Sequence, residues 1–319
     1  MEIKVYHGYG HENDLIVFGH VLEASKSQQQ TFTNSVLKNM VQLVKLFVVK
    51  PVGGIKVRLQ WNNTWYETTT AKDGFFRFEW QSETSTPAGW HTVSVEATGT
   101  GNSLLATGEG KIFIPHIAQH VFISDIDDTI LVSHSATVIK RLRVLLSKNP
   151  HTRKPFEDVV AHYNLLAKAN RQDAVPNPFF YVSSSEWNLY DYLNEFFAFN
   201  GLPKGAFLLN AIKKLHELVK TGKTKHEGKF MRIARIIKTF PNQQFVLLGD
   251  NSQKDPSIYA AVTEGFPGNV YAVYIRNVHK EKVQETQEIL AGMEQRGVKT
   301  CFYTGSPEAI EHSRMIGLI

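Results

Sequence analysis

The sequence predicts two folds in one 319-residue chain: an N-terminal β-sandwich-like domain with an inserted helix over residues 1–118, and a doubly wound α/β domain with a parallel sheet over residues 119–319. Three observations predict this. Up to Pro115, apolar and polar residues alternate with a period of two, as half-buried strands do. Beyond it, apolar runs stay apolar on both faces and alternate with helical intervals, the pattern of strands covered on both sides. Three of these later runs end in Asp or Ser, at the strand ends where open parallel sheets build their sites.

In the first half the strands read as "LIVFGHVLEA", "IKVRLQWN", "TWYETTT", "FFRFEW", "HTVSVEAT" and "GEGKIFIP". "AKDGFF" supplies an Asp-Gly turn of the kind a hairpin uses. "TNSVLKNMVQLVKLFVV" places Val36 or Leu37, Met40, Val41, Val44 and Phe47 at helical spacing. Its only basic residues are Lys38 and Lys45, which favours a core-packing stripe over a membrane anchor. In the second half the strands are "HVFISDID", "PFFYVSS", "AFLLN", "QFVLLGD", "NVYAVYIR" and "KTCFYT". The helical intervals are "EWNLYDYLNEFFAFNG", "KFMRIARIIKTFP", "DPSIYAAVTEGFP", "KEKVQETQEILAGMEQRG" and "SPEAIEHSRMIG".

Apolar residues at 42% and charged residues at 20% are those of a folded globular chain and exclude disorder as its main state. No apolar run reaches the roughly 20 residues that cross a bilayer, and "MEIKVYHGYGHEND" has no signal-peptide core, so a soluble, cytoplasmic protein is expected. The single cysteine, Cys301, has no internal disulfide partner and reads as a strand packing position. The net charge of +5 is modest, but basic residues bunch at 140–154 and 213–229. Two readings stand for these runs, a solvated surface and an anion-binding one. They lack interleaved aromatics, which argues against nucleic acid.

"VFISDIDDTILV", residues 121–132, sets Asp125, Asp127 and Asp128 directly behind an apolar run. Residues two apart on a strand end share a side, so Asp125 and Asp127 converge while Asp128 points away. Converging carboxylates repel unless one is protonated or a cation lies between them. "LLGDNSQKD" ends another run with Asp250 and adds Asp255, oxygen ligands suited to Mg²⁺. No Cys or His cluster has zinc spacing. The plain alternative is a pair of turn acids.

In order, "DIDDT", Ser183 after "FFYV", Lys229 and "GDNSQKD" resemble the four motifs of haloacid-dehalogenase-type phosphohydrolases. "FYVSSSEWNLYDYL", "FPNQQFVLLGDNSQKDPSIYAAV" and "YAVYIRNV" resemble, more narrowly, the catalytic domain of the actin-patch-associated phosphatidate phosphatase family. The N-terminal "HGYG" and "VFGHVLEA" suit that family too.

The resemblance implies an aspartyl-phosphate mechanism on a phosphomonoester, with phosphatidate the implied substrate and Mg²⁺ the cofactor. Asp125 would attack phosphorus. Asp127 would serve as general acid and then base, its carbonyl on the metal. Thr129 would hold the loop, and Asp250 would complete the metal ligands with Asp255 behind it. Ser183, or Ser184 as second choice, and Lys229 would bind the phosphoryl oxygens.

Alternatives remain at three points. The serines at 183–185 also suit a cap for the helix near Glu186, Lys225 could replace Lys229, and Asp255 suits the N-cap of the helix that follows it. Asn251 and Ser252 stand where the family commonly has Ser-Gly, and Glu186 where it has proline. The interval between the first two motifs is too short for a large cap domain, so a small cap or none is expected, open to bulky substrates. A lipid substrate implies peripheral contact with an anionic membrane. The other functional classes are a phosphatase of soluble or protein phosphoesters and a non-catalytic phospholipid-binding scaffold.

Overall fold

The computed structural model describes residues 1–11, 13–24, 49–116, 120–126, 129–130, 155–156, 158–170, 175–211 and 225–319, with backbone only for 225–227. The expected helix over 36–47, the basic run at 140–154, most of the run at 213–229, and Asp127 and Asp128 lie outside the described residues. The chain divides into two compact units, one formed by the described residues up to His116 and the other by those from His120 onward.

The first unit is a β structure. Its strands are β1 (Glu2–Val5), β2 (Gly8–His11), β3 (Asp14–Leu22), β4 (Lys56–Trp61), β5 (Thr64–Thr69), β6 (Phe75–Trp80), β7 (Gly89–Thr98) and β8 (Leu104–Ile114). They are hydrogen-bonded in the order β1-β3-β2-β8-β7-β4-β5, with β6 on β3. All pairs are antiparallel except β2 with β8. The period-two pattern works as expected: β4 buries Val57, Leu59 and Trp61, and β6 buries Phe76, Phe78 and Trp80. Both sets join one core with Val17, Val95 and Ile112. Each such buried side chain contributes about 1.5–3 kcal/mol.

Two features differ from expectation. β1 and β2 are only four residues long each, too short for the alternation to stand out. The Asp-Gly turn forms, with Gly74 at φ 75° and the Asp73 carboxylate accepting from the Phe75 amide at 3.2 Å. It does not close a hairpin, however, because β5 pairs with β4 while β6 pairs with β3. A turn residue fixes where the chain reverses, and distant side-chain packing decides which strand it then joins.

The second unit is a mixed α/β structure around a parallel sheet. Its strands are β9 (Val121–Ser124), β10 (Phe179–Glu186), β11 (Ala206–Asn210), β12 (Phe245–Asp250), β13 (Val270–Arg276) and β14 (Lys299–Tyr303). All are parallel, in the order β11-β10-β9-β12-β13-β14. Every residue of β9 and β12 is buried, as the unbroken apolar runs require. The chain starts in the middle of the sheet, builds out to β11, then returns to the other side of β9 as β12. The order therefore reverses between β9 and β12, and a crevice opens at their carboxyl ends.

The described helices of this unit are α1 (Val159–Lys168), α2 (Tyr190–Phe199), α3 (Lys225–Thr239), α4 (Asp255–Gly265), α5 (Val283–Glu294) and α6 (Ser306–Met315). α1 went unread in the sequence because its buried His162 interrupts a short apolar stripe of Val159, Tyr163, Leu166 and Ala167. Among the described residues no helix is long and apolar enough to cross a membrane. Burial pushes the Cys301 thiol up to about 12, in keeping with a packing role on β14.

Candidate active site

Asp125 follows β9 and Asp250 ends β12, so the two strands flanking the crevice each deliver a carboxylate to its floor. The Asp125 amide donates to the Leu248 carbonyl at 2.8 Å, carrying the β9–β12 ladder one residue beyond the strand. Below it, the Ser124 hydroxyl donates to the Asp125 carbonyl at 2.7 Å and lies 2.8 Å from the hydroxyl of Tyr163 on α1. A buried chain of hydrogen bonds thus fixes the backbone that carries Asp125.

Asp125, Asp250 and Asp255 are all buried, and each offers a carboxylate oxygen within 4.8 Å of the others. Lys229 lies among them, its ammonium donating to Asp125 Oδ1 at 2.7 Å and to Asp255 Oδ1. Burial pushes that ammonium toward its neutral form, but the two carboxylates outweigh it and hold its pKa above the ordinary lysine value. Asp250 shifts upward, first because it is buried and second because Asp255 is beside it; the Ser252 amide and Lys229 act against the shift. Thr129 donates to Asp250 Oδ2 at 3.0 Å and the Ser252 amide to Asp250 Oδ1 at 2.6 Å. Thr129 therefore ties the first acidic motif to the last.

Asp255 reaches the cluster through a close approach. A Cβ on Gly249 would lie 2.6 Å from Asp255 Oδ2 and 2.9 Å from Tyr259 Cε2, so only glycine leaves room for this carboxylate to fold over β12. Asp255 is not the helix N-cap: α4 begins with it, Lys254 holds the cap position, and its carboxylate goes to Lys229. Its Oδ2 is buried with no hydrogen-bond partner among the described residues. Three buried carboxylates around one ammonium leave an excess of negative charge, and together with that oxygen they fit a hard dication bound through oxygen.

Among the described residues Lys229 is the lysine that meets Asp125, and the side chain of Lys225 lies outside them. Lys229 lies one turn inside α3 and does not open it, since the helix begins at Lys225. Ser183 and Ser184 stand at the end of β10, beside β9. The Ser183 hydroxyl oxygen accepts from the Ser185 amide at 3.0 Å. The cap position before the 3-10 turn Trp187–Leu189 falls to Glu186, with no side-chain cap, so the serines do not cap it.

Sequence reasoning missed Arg232 and Asn210. Arg232 follows Lys229 by three residues on the same helix face, and its charge acts on Asp125. Asn210 is a polar residue ending an apolar run, the same signal that marked Asp250. The departure at Asn251 is structural: its side chain accepts from the Val278 and His279 amides at 2.8 and 2.9 Å and donates to Asn277 and the His279 carbonyl, bracing the loop after Asp250.

This architecture defines a parallel-sheet α/β domain whose switch-point crevice carries a buried acid–lysine cluster. The family model for "Phosphatidate phosphatase APP1, catalytic domain" matches residues 120–277 of this chain. Phosphatidate phosphatase APP1 of Saccharomyces cerevisiae is 28% identical over 193 residues, 60% of this chain and 30% of that protein. An uncharacterized protein of Schizosaccharomyces pombe is 23% identical over 158 residues, 49% of this chain and 25% of its own. The chain thus spans well under half the length of the curated relatives it matches. Among solved structures, a carbohydrate acetylesterase from Xanthomonas citri covers 84% of this chain and 66% of its own at a TM-score of 0.32 and 9% identity, a likeness that carries no argument.

Proposed function

We propose that this chain is a Mg²⁺-dependent phosphoric monoester hydrolase that converts phosphatidate to diacylglycerol and phosphate through an aspartyl-phosphate. The observation that carries the proposal is Asp125, held by Lys229 at the strand-order reversal with Asp250 and Asp255 within 4.8 Å. The family-model match over residues 120–277 supports phosphatidate as the substrate. The parallel order and the four acid, serine and lysine positions support reading the second unit as haloacid-dehalogenase-like. The shared core of the first unit supports a sandwich-like reading of its strands.

In this reading a carboxylate oxygen of Asp125 attacks phosphorus in line as the ester P–O bond breaks, and the alcohol leaves with a proton. Asp127, by resemblance, supplies that proton and later takes one from the water that cleaves the acyl phosphate. Phosphate then leaves and the Asp125 carboxylate is restored. Lys229 fixes the rotation of the Asp125 carboxylate and places positive charge beside the phosphoryl oxygens. Asp125, Asp250 and, by resemblance, the Asp127 carbonyl would hold Mg²⁺, with Asp255 behind them. When bound, the ion supplies charge neutralisation for the phosphoryl group. A cytoplasmic protein acting on a lipid would meet its substrate by peripheral contact with an anionic membrane.

The test is phosphate release by wild type and Asp125→Asn from phosphatidate vesicles, a soluble lipid-free phosphomonoester and a phosphopeptide, with and without Mg²⁺. The proposal expects Mg²⁺-dependent release, preferentially from the vesicles, that Asp125→Asn abolishes. Release only from the soluble ester or phosphopeptide would replace the substrate. Absence of release from all three would leave a phospholipid-binding scaffold.

A further inference from the structure

The parallel ladder between β10 and β11 breaks where the phosphoryl-binding serines lie. Val182 pairs with Leu208, the next pair is Glu186 with Asn210, and Ser183–Ser185 bulge out between them. On the other side, pairing with β9 ends at Tyr181. Ser183 and Ser185 are nevertheless buried, and buried backbone groups that leave a ladder need other partners. Two side chains supply partners for the carbonyls of Ser183 and of the half-buried Ser184. Arg232 Nη2 donates to the Ser183 carbonyl at 3.3 Å, and Asn210 Nδ2 donates to the Ser184 carbonyl at 2.9 Å. Arg232 Nη1 donates to Asn210 Oδ1 at 2.8 Å, joining the two into one unit.

We infer that Arg232 and Asn210 form a clamp that positions the Ser183–Ser185 bulge for phosphoryl binding without touching the substrate. The clamp works through peptide geometry. In a trans peptide the carbonyl and the following N–H point in opposite directions, so holding the carbonyls of Ser183 and Ser184 sets the directions of the Ser184 and Ser185 amides. The Ser185 amide then meets the Ser183 hydroxyl oxygen at 3.0 Å, so the clamp fixes that hydroxyl as well. Arginine suits the task because its planar fork addresses two acceptors at once, which lysine does not. Burial lowers its pKa to about 10 against the raising effect of Asp125, so it stays charged.

This inference rests on the phosphatase reading, and its test has one arm that does not. Asn210→Asp has nearly the same volume, keeps the acceptor for Arg232 and loses the donor to Ser184; Asn210 is half-buried, so the fold should tolerate the change. Arg232→Lys keeps the charge and loses the fork. The first arm compares amide hydrogen exchange in the wild type and both variants. Faster exchange at Ser184 and Ser185, with Tyr181 and Val182 unchanged, is expected; unchanged exchange at the serines would overturn the clamp whether or not the protein proves to be a phosphatase. The second arm measures kcat/KM and inhibition by inorganic phosphate. Both variants should lose about 10- to 100-fold in kcat/KM and bind phosphate more weakly, and guanidinium should restore part of the activity of Arg232→Ala. Unaltered phosphate inhibition in a folded Asn210→Asp would refute the positioning role, and full activity in Arg232→Lys would reduce Arg232 to a point charge. Absence of wild-type turnover would count against the proposed function, with exchange still deciding the clamp.

Discussion

Replacing Lys229 with methionine tests whether the cluster is charged and buried as described. The lysine side chain is 9% exposed, and the carboxylates of Asp125 and Asp255 are 4% and 1% exposed. Methionine keeps most of the volume and removes the charge, leaving both carboxylates buried with Asp250 nearby. Removing one partner of a buried pair costs about 3–5 kcal/mol, and two partners lose their cation here, which places the expected loss in the upper half of that range. At about 2 kcal/mol per molar of urea, a loss of about 4 kcal/mol lowers the unfolding midpoint of this unit by about 2 M.

The assay is urea unfolding of the full chain without divalent cations, followed by amide exchange in β9 and β12. Adding Asp125→Asn to Lys229→Met should restore part of the loss, because it removes one stranded charge. A folded pKa raised above the unfolded lysine value means that the Lys229 contribution is fully present below about pH 10.4 and is lost as pH rises through the folded value. The wild-type advantage over Lys229→Met should therefore disappear only under strongly alkaline conditions. A variant as stable as wild type at pH 7 would refute the charged, buried cluster.

Two further outcomes are expected. The upward shift at Asp250 means that the metal-free protein binds a proton more tightly folded than unfolded, so this group's contribution to stability falls as pH rises from about 4 through its folded pKa. If Asp250 holds Mg²⁺ as proposed, the ion must displace that proton, so calorimetry should show weaker Mg²⁺ binding at acid pH and proton release on binding; pH-independent affinity would contradict the Asp250 assignment. Gly249→Ala should cost about 1–3 kcal/mol and weaken Mg²⁺ binding by pushing Asp255 aside, and unchanged stability and calorimetry would show that Asp255 does not need this close approach.

Much of the second unit was legible because its strands are covered on both faces. Runs such as "QFVLLGD" have no polar side to obscure them, and their polar last residues mark the crevice. The convergence of Asp125, Asp250 and Lys229 could be expected from motif order, but the bridge from Lys229 to Asp255 could not, because it depends on Gly249 letting helix α4 start against the strand. Arg232 and Asn210 were missed for a related reason. Their partners are backbone carbonyls exposed by a bulge, and a bulge leaves no pattern in an apolar run. In the first unit the positions of the longer strands β3 to β8 could be read, but pairing could not, because β3 meets β6 across distant sequence.

The central claim is that Asp125 becomes phosphorylated. Rapid-quench labelling with a ³²P-labelled phosphomonoester in Mg²⁺, followed by peptide mapping, tests it most directly. The account predicts a transient acid-stable, hydroxylamine-sensitive label on the peptide carrying Asp125 that chases to phosphate and is absent from Asp125→Asn. Turnover without a labelled intermediate, or an undiminished label in Asp125→Asn, would contradict it.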